Sequence, residues 1–252
     1  MKCGLLVVSV GTTLREAEET GILPVERALA AAFPARRCYR AWTGTAILRR
    51  LREVRGNCPD DVTTALERMA EDDIRDVLIQ PTCLVAGAEF AAMRQAVEVM
   101  EGRFSSVKIG MPLLADEEDL ARMAEILRTT CAPAPGEAVL LMAHGSAVAA
   151  LPTEFLREPL YLGFRTGKPD CGDLIGMLRQ RPEIRKVRLL PMMMTAGYHA
   201  CRDLAGDGPD SWKSQLQRAG YRTECLLRGL GELPEIRQLL IDHARMAERE
   251  TE

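Results

Sequence analysis

Three side chains that can bind a metal or accept a proton follow predicted strands: Glu89, His144 and His199. Neutral imidazole is a common protein ligand for transition metals, and a histidine or carboxylate can act as a base. Open α/β sheets bind ligands at the carboxyl ends of their strands, so these positions favour a site. Each residue taken alone has a structural alternative: a lone histidine can simply pack, and Glu89 suits the first turn of a helix.

A repeated sequence pattern places two of these residues at equivalent positions. Residues 78–89 read LIQPTCLVAGAE, and residues 188–199 read RLLPMMMTAGYH. Each has an apolar run, a proline, four residues, Ala-Gly, one residue and a polar group. The alignment makes Glu89 the counterpart of His199.

A second pair of segments also shows an internal repeat and leads to the predicted fold. Residues 4–13 (GLLVVSVGTT) and 138–147 (AVLLMAHGSA) are strand-like runs that end in glycine and a small hydroxyl residue, with Val10 opposite His144. Strands alternating with helices indicate a parallel sheet. We therefore predict an α/β fold of two similar lobes, each a parallel sheet flanked by helices, with an active-site cleft between them.

The lobe boundary is predicted at the linker APAPG, residues 132–136. This gives an N-terminal α/β lobe over 1–131 and a C-terminal α/β lobe over 132–252. A helix predicted over 233–248 either packs back on the first lobe or meets another subunit, so a homo-oligomer stays an open expectation. Residues 197–210 are predicted to form a polar loop.

Composition excludes several functional classes. The chain has 252 residues, a net charge of −3 and only 4% aromatic residues, so we expect no nucleic-acid partner. The first apolar run is too short for a signal peptide or a membrane span, and we expect no membrane association. Eight cysteines without a C-x-x-C pair indicate reduced thiols in a cytoplasmic protein. P-loop, dinucleotide and α/β-hydrolase fingerprints are absent from the sequence.

Several segments, taken in order, resemble one known family. They are LLVVSVGTT at 5–13, RAWT at 40–43, ILRRL at 47–51, the run from Gln80 to Glu89, MAHG at 142–145, the run from Leu190 to His199, GPDSWK at 208–213 and GLGE at 229–232. Together they resemble the class II tetrapyrrole chelatases of the anaerobic cobalt type, the sirohydrochlorin cobaltochelatases of cobalamin biosynthesis. The resemblance covers nearly the whole chain.

The resemblance implies a lyase that inserts Co²⁺ into sirohydrochlorin, a tetrapyrrole, without a prosthetic group. The divalent metal is then a substrate, with Fe²⁺ or Ni²⁺ as the alternatives to Co²⁺. His144 matches the family's metal ligand and proton acceptor, and His199 its second histidine ligand. Glu89 matches an acidic residue that lines the family's cleft, and we expect it to be catalytic together with His144. Metal insertion requires two pyrrole protons to leave, so a base beside the metal is chemically sensible.

Five further residues are expected to bind the macrocycle. Arg40, Arg49 and Arg50 suit its many carboxylates, although a run of arginines on a helix is also a common solvated face. Thr12, in the turn after the first strand, and Thr166 complete the expected substrate-binding set.

Two residues depart from the family pattern. Thr166 stands where the family has a glutamate, with Asp170 and Glu154 as neighbouring carboxylates that could substitute for it. Cys83 stands where members commonly carry a histidine; a thiolate there would favour softer metals, whereas a thiol would only pack. The alternative function is accordingly a tetrapyrrole or metal carrier that has lost catalysis. A binding module for a small anionic ligand is a third hypothesis.

Overall fold

The computed structural model describes residues 1–56, 58–145 and 155–249. By its internal contacts the chain forms two compact units, Met1–Ala115 together with Gly231–Glu252, and Asp116–Leu230. The lobe boundary near residue 131 stays a prediction from the linker. No helix within the described ranges is long and apolar enough to span a membrane.

Each unit is built on a four-stranded parallel sheet. The first sheet has the order β2-β1-β3-β4, and the second has the order β6-β5-β7-β8. In both sheets the strand that comes first in the sequence therefore occupies the second position from the edge. The strands are β1 (Lys2–Ser9), β2 (Arg37–Trp42), β3 (Ile74–Pro81), β4 (Ser106–Ile109), β5 (Glu137–Gly145), β6 (Leu160–Thr166), β7 (Lys186–Pro191) and β8 (Arg222–Cys225). Identical strand orders and all-parallel pairing confirm the predicted duplication of an α/β unit.

The register of the two sheets matches the sequence repeat residue by residue. Val8 pairs with Pro81 in the first sheet, and Met142 pairs with Pro191 in the second. Each proline ends a strand that lies beside the first strand of its unit. The register therefore gives His199 the same relation to its sheet that Glu89 has in the first.

Helices connect the strands of both sheets. They are α1 (Arg15–Ala17), α2 (Leu23–Ala32), α3 (Thr45–Arg55), α4 (Val62–Glu71), α5 (Ala88–Met100), α6 (Glu117–Cys131), α7 (Cys171–Arg179), α8 (Trp212–Arg218) and α9 (Pro234–Arg249). Side-chain caps begin four of them: Asp61 accepts a hydrogen bond from Thr64 N–H, and Asp116, Asp170 and Ser211 act likewise. Such caps fix the residue at which each of these four helices begins.

Apolar burial holds each sheet to its helices. Leu6 and Ile79 of the first sheet pack with Leu66 of α4, and all three are fully buried. The second unit repeats the arrangement with Leu140 of β5 and Leu216 of α8. Truncating one such leucine to alanine typically costs about 2–5 kcal/mol of unfolding free energy, so these clusters fix the strands that carry the site.

The terminal helix α9 belongs to the first unit, where it contacts α2, β3 and β4. Arg36, whose side chain is nearly buried, donates hydrogen bonds of 2.8 Å to both Asp76 and Glu248. A buried guanidinium needs such partners because an unpaired charge in the interior is costly. The two carboxylates therefore fix α9 against the first sheet.

Candidate active site

The structure brings His144 and His199 together at the strand ends of the second unit. His144 is the penultimate residue of β5, and His199 precedes a π-helical turn, Ala200–Leu204, that follows β7. Their ring centroids are 5.1 Å apart, with the rings inclined at 70°. With metal–nitrogen bonds of about 2.1 Å, rings at this spacing can share one metal ion.

Asp203 orients His199. The Nδ1 atom of His199 lies 2.7 Å from Oδ2 of Asp203, so the imidazole donates its Nδ1–H to the carboxylate. This leaves the ring's lone pair on Nε2, the atom that would bind a metal. Metal-binding histidines almost always have such a partner, which fixes the tautomer and raises the basicity of the ligand. Asp203 is not among the predicted site residues, because its i, i+4 spacing from His199 indicates a contact only where the chain is helical, and residues 197–210 are predicted to be a loop.

Arg165 contacts the other histidine. Its Nη2 lies 3.2 Å from Nε2 of His144, and its Nη1 lies 3.8 Å from Oδ2 of Asp203. Guanidinium only donates hydrogen bonds, so Nε2 of His144 is the acceptor here. The sheet explains the contact: Gly145 pairs with Thr166, so the preceding residues, His144 and Arg165, lie side by side on one face. Arg165 is likewise not among the site residues predicted from the sequence.

A glycine after His144 lets β5 end close to β6. Gly145 has φ of +111°, and a Cβ built on it would lie 1.9 Å from the carbonyl oxygen of Thr166. Its counterpart in the first unit, Gly11, has φ of +95° and abuts the ring of Trp42. Both positions require glycine for conformation and for space. The same type of glycine turn therefore follows His144 in the second unit and Val10 in the first.

Of the three residues expected at or near the position of the family's glutamate, the structure describes Thr166 and Asp170. Thr166 is exposed at the end of β6. Asp170 forms a capping box with Asp173 at the start of α7 and an ion pair with Lys168, whose ammonium lowers the pKa of Asp170. Glu154 lies outside the described residues. Within the described ranges, no three His, Cys, Asp or Glu side chains group to hold a metal.

Glu89 lies at the equivalent strand end of the first unit, exposed in the first turn of α5. It lines a small recess with Ser9, Thr43 and Cys83. Burial raises the pKa of Cys83 to about 12, and the charge of Glu89 acts in the same direction. Cys83 is therefore a neutral thiol near pH 7, which favours packing over the thiolate-ligand alternative.

The expected macrocycle anchors differ in their surroundings. Arg40 makes two ion pairs of 3.0 Å, to Glu18 and to Glu26, and its guanidinium lies over Trp42. Its charge thus already has partners within the first unit.

Arg49 and Arg50 are exposed on α3, where Arg50 is 3.8 Å from Glu53. An exposed pair at this distance is weak, so Arg50 can still bind an anion. Thr12 is buried, and its hydroxyl accepts a hydrogen bond from the N–H of Leu14 at 3.2 Å. This contact shapes the turn after β1.

Two duplicated parallel α/β units, one with a carboxylate-supported histidine pair at its strand ends, define a metal-handling protein of the chelatase type. The model of the cobalt chelatase (CbiK) family matches residues 3–249, and the chain belongs to that family.

Relatives extend over nearly all of the chain. The sirohydrochlorin cobaltochelatase of Salmonella typhimurium is 34% identical over 98% of this chain and 97% of its own length. The sirohydrochlorin cobaltochelatase CbiKC of Nitratidesulfovibrio vulgaris is 31% identical over 98% of this chain and 90% of its own. Both alignments include the two histidine-bearing strand ends.

Solved structures share the fold at lower identity. SirB from Bacillus subtilis, solved with Fe³⁺, superposes with a TM-score of 0.68 at 14% identity, covering 100% of this chain and 97% of SirB. CbiX, described as the terminal enzyme of sirohaem biosynthesis in denitrifying bacteria, gives 0.54 at 18% identity, covering 97% and 99%. These likenesses confirm the duplicated α/β architecture.

Proposed function

We propose that this protein is a sirohydrochlorin cobaltochelatase. It takes Co²⁺ and metal-free sirohydrochlorin and yields cobalt-sirohydrochlorin and two protons, a step of cobalamin synthesis. The observation that supports this most directly is the pair formed by His144 and His199, 5.1 Å apart, with Asp203 behind His199. Relatives with this named activity align over 98% of the chain.

The histidine pair supports transfer of the metal rather than its permanent storage. Two neutral imidazoles hold Co²⁺ through Nε2 and leave its other coordination positions open to macrocycle nitrogens. As the metal moves to the macrocycle, Nε2 of His144 regains its lone pair and accepts one pyrrole proton. The second proton goes to Glu89 or to water. Asp203 keeps His199 oriented throughout, because its hydrogen bond to Nδ1 does not involve the metal-binding nitrogen.

The exposed arginines of α3 are the proposed anchors for the acidic macrocycle, together with Thr12 and Thr166. Arg49 and Arg50 can reach carboxylates without losing a strong partner, whereas Arg40 would have to leave Glu18 and Glu26. Arg40 is therefore proposed to hold β2 against the helical segments that carry Glu18 and Glu26. All eight cysteines are unpaired, in keeping with the expected cytoplasmic location.

A turnover assay separates the chelatase from the carrier. Purified protein is mixed with Co²⁺ and a large molar excess of sirohydrochlorin, and the macrocycle absorbance is followed with time. A chelatase converts many equivalents, faster than the protein-free reaction. A spectral change that stops at one equivalent would refute the chelatase and establish the carrier, and no macrocycle binding at all would refute both.

A further inference from the structure

Arg165 occupies the nitrogen of His144 that the proposed function gives to the metal. Its guanidinium lies 3.2 Å from Nε2 of His144 and 3.8 Å from the carboxylate that orients His199. One side chain thus connects the two histidines of the pair. Its position is set by the backbone, because β5 and β6 place residues 144 and 165 on one face.

This arrangement opposes binding of a bare cation. A guanidinium is always charged and only donates hydrogen bonds, so it engages the lone pair of Nε2 and carries a positive charge where Co²⁺ would enter. A site for a permanently bound metal would have an acceptor at this point. Arg165 must therefore leave Nε2 before His144 can take up the metal.

The contact with His144 is one that an acidic ligand can displace. A single hydrogen bond of 3.2 Å to a neutral nitrogen is weaker than a bidentate, charge-assisted pair with a carboxylate. The guanidinium side chain is about one-third exposed, with 31% of its surface open to solvent, and the neighbouring Thr166 is exposed. A carboxylate arriving at the end of β6 can thus reach it.

We propose that Arg165 is a positioning residue that makes metal uptake by His144 depend on the macrocycle. Without macrocycle it covers Nε2; when sirohydrochlorin binds, Arg165 pairs with one of its carboxylates and uncovers Nε2. This inference rests on the proposed function, because it takes the acidic macrocycle as the displacing ligand. Arg165 then contributes to the affinity for the macrocycle and limits Co²⁺ binding when the macrocycle is absent.

The test is a Co²⁺ titration of protein without macrocycle, followed by cobalt absorbance. We expect Arg165→Gln to bind Co²⁺ about tenfold more tightly than the unchanged protein, since a unit charge some 5 Å from a divalent ion opposes it by that order even in water-like surroundings. The same variant should bind metal-free sirohydrochlorin more weakly and show a raised KM. Arg165→Lys keeps the charge, so its Co²⁺ affinity should stay low while macrocycle binding weakens.

Arg202→Gln is the matched control. Arg202 lies 3.9 Å from Asp203 and contacts Tyr198, so its loss also removes a nearby positive charge. It should change Co²⁺ affinity much less than Arg165→Gln. Thermal unfolding of each variant checks that the fold is kept.

Equal Co²⁺ affinity in the unchanged protein and Arg165→Gln would overturn the inference, as would unaltered macrocycle binding. Absence of turnover by the unchanged protein would instead refute the proposed function, and the titration would still decide whether Arg165 covers His144.

Discussion

Replacing Asp203 by asparagine tests how much the carboxylate behind His199 contributes to cobalt binding. The amide keeps an acceptor oxygen for Nδ1–H but removes the negative charge. The hydrogen bond is short, 2.7 Å, and charge-assisted, a class that contributes about 1.5–3 kcal/mol. The His199 and Asp203 side chains are 36% and 25% exposed, so solvent screening places the effect near the lower end of that range.

We therefore expect Asp203→Asn to weaken Co²⁺ binding by about 1–2 kcal/mol, roughly tenfold in Kd. Asp203→Ala should weaken it further, because the imidazole then loses its orienting acceptor. Calorimetric titration with Co²⁺, in the absence of macrocycle, measures the change. Asp207→Asn is the control, since Asp207 is exposed and pairs with Lys213 rather than with a histidine.

An unchanged cobalt affinity in both Asp203 variants, with the fold intact by circular dichroism, would refute this reasoning. It would mean that His199 is held by its backbone alone or does not bind the metal. A loss of thermal stability without loss of cobalt affinity would give Asp203 a purely structural role.

Three further predictions concern residues around the strand ends. Thr166→Glu should strengthen Co²⁺ binding by about 1–2 kcal/mol in titration, because the attraction between a carboxylate and a divalent ion some 5 Å apart is of that magnitude in water. An unchanged Co²⁺ affinity would mean that residue 166 lies away from the metal. Gly145→Ala should lower the free energy of unfolding by about 2–4 kcal/mol, because φ is +111° and the new Cβ would meet the Thr166 carbonyl. The control Gly176→Ala lies in an open helical position and should raise the free energy of unfolding by about 0.5–1 kcal/mol. Equal denaturation midpoints for the two variants would contradict this prediction. Because burial raises the pKa of Cys83 to about 12, its thiol should be alkylated far more slowly at pH 8 than that of exposed Cys201, and the rate should increase as pH rises. Mass spectrometry measures both rates. Comparable rates at pH 8 would mean that Cys83 carries a thiolate.

The duplicated fold was predictable because it depends on local sequence pattern. The apolar runs that end at Pro81 and Pro191 predict two strands, and the matching residues that follow each proline indicate the repeat. The proximity of His144 and His199 followed from the same argument, since neighbouring parallel strands end at one edge of a sheet.

The partners of the histidines depend on details that local pattern does not carry. Residues 197–210 were predicted as a loop, but the structure has a π-helical turn at Ala200–Leu204, which aligns Asp203 with His199. Arg165 reaches His144 only because of the exact β5–β6 register. Arg40 was expected to bind substrate, while its pairing with Glu18 and Glu26 is a tertiary contact.

The most direct measurement is the multiple-turnover rate of the unchanged protein against that of His144→Ala, with Co²⁺ and excess sirohydrochlorin. We expect many turnovers by the unchanged protein and only the protein-free rate in the variant, because His144→Ala removes the metal ligand and the proton acceptor together. Cobalt insertion by His144→Ala at the unchanged protein's rate would contradict it.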